Sequence, residues 1–173
     1  MLSKDAIGAL AELGAESLGV FRARAAVEAN VTREQLSVFR AAGIIERELP
    51  GVYRMTAVER SAEQRLRAAL MWAGDDSAAA SLSAAATFKL EGVRASVPEI
   101  VVPNSNYVRS KHVVVHRADD MRPLMVRRYR GLRVTGIEAT LVALAHALDG
   151  EALEIACEDA RRRGLTGVPQ LRA

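Results

Sequence analysis

The stretch NVTREQLSVFRAAGIIERELPGVYRM, Asn30 to Met55, constrains the fold more than any other part of the chain. Asn30 suits the left-handed position that ends a helix. Thr32-x-x-Gln35 is a capping box, which satisfies free backbone donors at a helix start. Leu36 and Phe39 then fall on one side of a short helix that Gly43 stops. Two β-prone runs follow around Pro50-Gly51, a hairpin signature. Upstream, SKDAIGALAELGA predicts a first helix, with Ser3 as N-cap and Ile7, Leu10, Ala11 and Leu13 on its apolar side. FRARAAVEAN predicts a second, with Ala23, Ala26 and Val27 inward. Helix, helix, tight turn, helix, hairpin is the order of a winged helix-turn-helix, whose third helix enters the major groove while the hairpin lies along the backbone.

With Leu36 and Phe39 turned inward, Arg33, Ser37 and Arg40 share the opposite face. Two arginines on one short face can contact guanine edges or phosphates in bidentate fashion. Thr32 and Gln35 at the helix head belong to the same candidate DNA-binding set. The hairpin adds Arg47 and Arg54, with Tyr53 either packing at its base or touching sugar. The plainer alternative is a protein-contact module, since three-helix units with hairpins serve that purpose too.

Charge and composition bound the choice. The chain of 173 residues suits one domain or two small ones, and half its residues are hydrophobic, enough for a sizeable core. The net charge of +3 is unevenly placed. Residues 1–58 are neutral, with seven basic and seven acidic side chains, whereas 106–134 hold eight basic against two acidic. A basic N-terminal arm is thereby excluded. No apolar run reaches the roughly 18 residues that span a bilayer. Asp5, Glu12 and Glu16 interrupt the apolar N-terminus, unlike a secretory leader. Cys157 is the one cysteine, so no internal disulfide forms, and a cytoplasmic location is expected.

After Met55 the pattern changes. SAEQRLRAALMWAG predicts a long helix with Ala62, Leu66, Ala69, Leu70 and Ala73 on one stripe, and DDSAAASLSAAATFKL one or two Ala-rich helices. PEIVVP, KHVVVHRAD and LMVRRYRGLRVT read as strands, the last turning at Arg130-Gly131. Thr135 and Glu138 form a second capping box, opening a helix that carries Ile137, Leu141, Leu144, Ala145 and Leu148 and ends at Gly150. EALEIACEDARRRG is the last full helix, closed by Gly164, with Arg161 to Arg163 complementing its C-terminal end. The tail starts a further helix at Thr166 and stops, which suggests sequence missing downstream. The fold class is α+β. A winged helix-turn-helix over 1–57 precedes a mixed α/β domain over 58–173, which has a small antiparallel sheet and C-terminal helices.

Taken together, GIIERELPGVYRM, SLSAAATFKLEGV, PEIVVP, VVVHRAD and YRGLRVTGIEATLVALA resemble the AbiEi family of antitoxins and transcriptional regulators, from about Val20 to Leu171. That resemblance implies an N-terminal domain that binds double-stranded operator DNA, often as inverted repeats, and represses its own operon. It implies a second domain that counteracts a nucleotidyltransferase-like toxin. Related chains continue into a Vsr-like endonuclease domain, so a targeting module without its nuclease is the alternative; this sequence carries no acidic/lysine nuclease signature, and no enzyme is expected. The chain departs from the commoner family pattern at two places. A His-Arg pair before the SAA stretch is here Ser81-Leu82, and an aspartate in the helix after Thr135 is here Ala143.

Other chemistry is set aside. His112 and His116 lie about 13 Å apart along a strand, too far to share an ion, so no metal and no cofactor is expected. Ser81, Ser83, His146 and Glu138 do not compose a hydrolase triad, and Cys157 reads as core. The glycines lack the strand-loop-helix grammar of a phosphate loop. Lys111, Arg117, Arg127, Arg128, Arg130 and Arg133 form a possible second basic surface. It would touch nucleic acid, or else pair with Glu151, Glu154, Glu158 and Asp159 of the last helices. Arg122 precedes the hairpin, and alternation puts Arg128 and Arg130 on one side with Arg127 opposite. The oligomeric state has no sequence signature.

Overall fold

Capping and turn chemistry set the elements of the first unit. The computed structural model describes residues 4–167, and the chain divides into two units, 1–74 and 75–173. In the first, α1 (Lys4–Gly14) buries Ala6 and Leu10. Leu18 (φ 55°) and Gly19 (φ 79°) then reverse the chain into β1 (Val20–Arg22), where the sequence reads as helix. A Cβ on Gly19 would lie 2.7 Å from a Val58 methyl, so the turn is tight as well as left-handed. α2 (Ala23–Glu28) is shorter than its pattern, and Val27 is 45% exposed rather than inward. Asn30 takes the expected left-handed conformation, with φ 62°. α3 (Arg33–Ala41) opens with the complete capping box: the Gln35 N–H donates to Thr32 Oγ1 at 3.1 Å, and the Thr32 N–H to Gln35 Oε1 at 2.8 Å. The expected N-cap Ser3 lies outside the described residues.

β2 (Ile45–Leu49) and β3 (Val52–Met55) make the hairpin at Pro50-Gly51, and the antiparallel order is β1-β3-β2. Alternation divides this sheet by face. Phe21, Ile45, Tyr53 and Met55 join Leu10, Ala26, Val31, Leu36 and Phe39 in one core cluster. The other face takes α4 (Ala62–Ala73), which packs on all three strands. Two cross-links fix it there: Arg22 Nε donates to the Met71 carbonyl at 2.8 Å, and Gln64 Nε2 to that of Leu18 at 2.7 Å. The first unit thus extends past residue 57 and includes the helix that the sequence reading assigned to the second part.

In the second unit, Ala78–Ala79 is a strand, β4, and not helix as alanine-rich composition suggests. Helix propensity differs by only tenths of a kcal/mol among such residues. Here it yields to position, because both alanines are fully buried at the centre of the five-stranded sheet β6-β5-β4-β8-β7. β5 (Glu99–Pro103) pairs antiparallel to β4 and parallel to β6 (Val114–Ala118). β8 (Leu132–Val134) runs parallel to β4 and antiparallel to β7 (Arg127–Tyr129). The sheet is therefore mixed, not antiparallel. Arg130 and Gly131 join β7 to β8 with φ 51° and 75°, the paired left-handed residues of a two-residue hairpin turn.

α5 (Ser81–Phe88), α6 (Ile137–Leu144) and α7 (Gly150–Arg162) complete the unit. The second capping box does not form. Thr135 is buried with its hydroxyl 2.8 Å from that of Thr140, so Gly136 takes the N-cap, and Glu138 accepts from Thr166 at 2.8 Å. α6 stops at Leu144, with Ala145 exposed, and Gly150 begins α7, capped by Asp149 through the Ala152 N–H at 2.8 Å. The helix expected from Thr166 lies almost wholly outside the described residues. No helix among the described residues is long and apolar enough to cross a membrane.

Asp159 of α7, 5% exposed, accepts from Arg162, Arg163 and the Glu91 N–H. The Arg162 hydrogen bond, then those from Arg163 and Glu91, hold its carboxyl below the usual range against the opposing effect of burial. A carboxyl with a lowered folded-state value stabilises fully above its unfolded value of about 3.9 and loses that contribution as pH falls through the folded value. Acid titration of the second unit should therefore show destabilisation beginning below about pH 4. The Asp159→Asn variant should flatten that part of the curve; an unchanged acid limb would remove Asp159 from the account.

Candidate nucleic-acid interface

α3 is fixed from behind and open in front. Leu36 is 4% exposed and Phe39 fully buried, so the turn geometry carries Arg33, Ser37 and Arg40 outward, and all three are exposed. Neither arginine is in an ion pair among the described residues. Thr32 and Gln35 are occupied with each other in the capping box, which sets the start of the helix. Val38, 43% exposed, flanks this face and was not anticipated; its spacing between Leu36 and Phe39 hides it among core positions.

The hairpin divides differently from expectation. Arg47 is exposed on β2, opposite Tyr53 in register. Tyr53 is half-buried and stacks on Phe21 at 6.1 Å, so it packs at the base and does not reach outward. Arg54 is 7% exposed and points to the α4 side, which removes it from any nucleic-acid face. It ion-pairs with Glu46, lies 3.9 Å from Glu48, and donates to the Val58 carbonyl at 2.8 Å. Arg60 joins from outside, pairing with Glu46 and lying 3.4 Å from Glu48. Burial raises the Glu46 carboxyl, but hydrogen bonds and charge from Arg54 and Arg60 outweigh it and leave Glu46 below its ordinary range. The register predicts this inward turn: Arg54 pairs with Val20, a fully buried position.

The basic residues of the second unit are a scattered set. Arg117 donates to the carbonyls of Asn106 and Val108, and Arg122 pairs with Asp120. Arg133 donates to the Ser77 carbonyl at 3.2 Å. Arg127 lies over the Phe88 ring at 5.4 Å and Arg130 over Tyr129 at 5.9 Å, while the two rings are 4.9 Å apart. Lys111, Arg128 and Arg130 are exposed. Among the described residues no ion pair joins this set to the last helices: Glu158 pairs with Arg161, and Asp159 with Arg162 and Arg163. Arg163 also donates to the carbonyls of Phe88 and Lys89, closing α5 instead of only its own helix.

His116 Nε2 lies 3.2 Å from Glu99 Oε2, and His112 is exposed ahead of β6. Among the described residues no group of three or more His, Cys, Asp or Glu side chains could hold a metal ion. Cys157 is partly buried, and burial followed by the Glu158 charge raises its thiol above the usual value, the opposite of an activated nucleophile.

No protein-family model matches the chain, and no curated protein does. Among solved structures it is similar to the RV2827C protein from Mycobacterium tuberculosis, with a TM-score of 0.59 and 18% identity over 95% of this chain and 72% of that one. At that identity the likeness is one of fold, and the fold is α+β with a small antiparallel sheet and a mixed sheet.

Proposed function

We propose that the chain is a DNA-binding transcriptional regulator of the AbiEi antitoxin type, its first unit acting as a winged helix-turn-helix. The observation that carries the reading is the outward Arg33-Ser37-Arg40 face of α3, anchored by Leu36 and Phe39. α3 enters the major groove of double-stranded operator DNA, and Arg47 supports it on the hairpin. The second unit serves the partner role, against a co-encoded nucleotidyltransferase-like toxin. Lys111, Arg128 and Arg130 offer secondary phosphate contacts.

Binding of the full chain to its own promoter region, read by gel shift, tests this. Each base-reading arginine should contribute about 1–3 kcal/mol, so Arg40→Ala weakens binding by roughly 5- to 150-fold and relaxes sequence preference. Affinity should also fall with salt as counterions are released. No shift at low salt ends the proposal.

A second reading, a protein-contact module, has its own observation. Val27 borders a groove in the first unit lined by Pro50, Met71 and Trp72. Loss of promoter binding in Arg40→Ala, with none in Val27→Ser, separates the two.

A further inference from the structure

A sheet that ends on a regular, unprotected strand presents a row of free main-chain groups, ready to pair with another chain. β6 is such a strand. It is the last in the order β6-β5-β4-β8-β7, and its pairing with β5 runs over five residues without a bulge. The two ends of that ladder set its parity. The Val114 N–H donates to the Pro98 carbonyl at 2.9 Å, and the Asn104 N–H donates to the Ala118 carbonyl at 2.9 Å. Val114, His116 and Ala118 therefore spend their main chain on β5, while Val115 and Arg117 turn theirs outward along the open edge. Among the described residues, the N–H and carbonyl groups of these two have no hydrogen-bond partner.

The usual protections of an edge are missing here. The opposite edge of the sheet, β7, is three residues long and carries Arg127 and Arg128. In the first unit the edge strand β2 holds Glu46, Arg47 and Glu48, and its register shifts between Arg47 and Leu49. β6 has no proline, lysine or glycine and no such shift. Its two basic side chains are held by their own chain: Arg117 donates to the carbonyls of Asn106 and Val108, and His116 lies 3.2 Å from Glu99. Val114, 43% exposed, leaves apolar surface beside the free groups.

The strand fits a second copy of itself. Antiparallel copies related by a two-fold axis can centre on Val115, His116 or Arg117. Centring on Arg117 opposes two guanidiniums, which is unfavourable. Centring on Val115 requires Val113, which already bridges to Ser110. Centring on His116 sets Val115 of each copy against Arg117 of the other, and each such pair exchanges two hydrogen bonds. At the axis the two imidazoles then lie between the two Glu99 carboxylates, so acid and base are matched along the row. We infer that β6 is an interface strand, joined antiparallel to β6 of a second copy about a two-fold axis through His116. The two sheets become one continuous sheet. A contact of five residues a side buries less than the roughly 1,200 Å² of a stable complex, so association in free solution is weak. The inference stands whether or not the first unit binds DNA.

Sedimentation equilibrium of the full chain tests it. The average mass should rise from one chain toward two as concentration approaches roughly 1 mM. Val115→Pro removes an outward N–H and no bond to β5, a placement that edge strands tolerate, and should weaken association by about tenfold or more. Cross-linking is a second measurement, which decides the matter should that variant fail to fold. Opposed residues of a non-hydrogen-bonded pair have Cα atoms about 4.5 Å apart, within the span of a disulfide. In a Cys157→Ser background, His116→Cys should therefore form a disulfide-linked dimer in oxidised glutathione. Tyr107→Cys, at a 78% exposed position in the loop before β6, should do so far more slowly. A single-chain mass at every concentration overturns the inference. So does undiminished association in a folded Val115→Pro variant, or cross-linking of His116→Cys no faster than that of Tyr107→Cys.

Discussion

Truncating Phe39 to alanine should remove about 3–5 kcal/mol from the stability of the first unit, the range for deleting a fully buried aromatic ring. The ring is fully buried, in one cluster with Leu10, Phe21, Val31 and Ile45. Typical domains are stable by only about 5–15 kcal/mol, so a unit of this size keeps little margin. Trp72, the single tryptophan, lies on α4 of the same unit, so denaturant unfolding followed by its fluorescence reports on this unit directly. A loss below about 1 kcal/mol would mean that α3 is not anchored from behind. The arginine face would then have no fixed direction, and the proposed DNA contact would fail with it.

The second large effect concerns Arg54. Replacing it with methionine keeps most of the bulk but leaves Glu46 and Glu48 with only Arg60, and removes the donor to Val58. Breaking one partner out of a buried pair is typically worth about 3–5 kcal/mol. Because the Glu46 side chain is 36% exposed, the lower end applies, at about 3 kcal/mol. Adding Glu46→Gln to Arg54→Met should restore part of the loss, since the unpaired carboxylate is then absent. Arg54→Met with full stability but weakened DNA affinity would return Arg54 to the nucleic-acid face.

How much of this could be read in the residues depended on the range of the interactions. The capping box at Thr32, the left-handed Asn30 and the Pro50-Gly51 turn are local, and each follows from a few neighbouring side chains. So does the outward direction of Arg33 and Arg40, once Leu36 and Phe39 are inside. Arg54 was misread because its direction depends on pairing with Val20, and a three-residue strand leaves almost no periodic signal. Ala78–Ala79 was misread for the related reason that its strand character comes from neighbours 20 and more residues away along the chain. Thr135 has the spacing of a cap but lies buried against Thr140. Ser81 reads as one more residue of an alanine-rich helix, and its left-handed φ of 47° arises only where the chain leaves β4 and turns into α5.

The Arg163 guanidinium holds the terminal carbonyls of Phe88 and Lys89, about seventy residues earlier in the chain. A fragment ended just before that arginine would take the donor from both peptide oxygens and loosen the final turn of a helix it never covalently adjoins. A piece of the second unit cut before position 163 should therefore be less stable than one that runs through it, a difference that denaturant unfolding of the two would read.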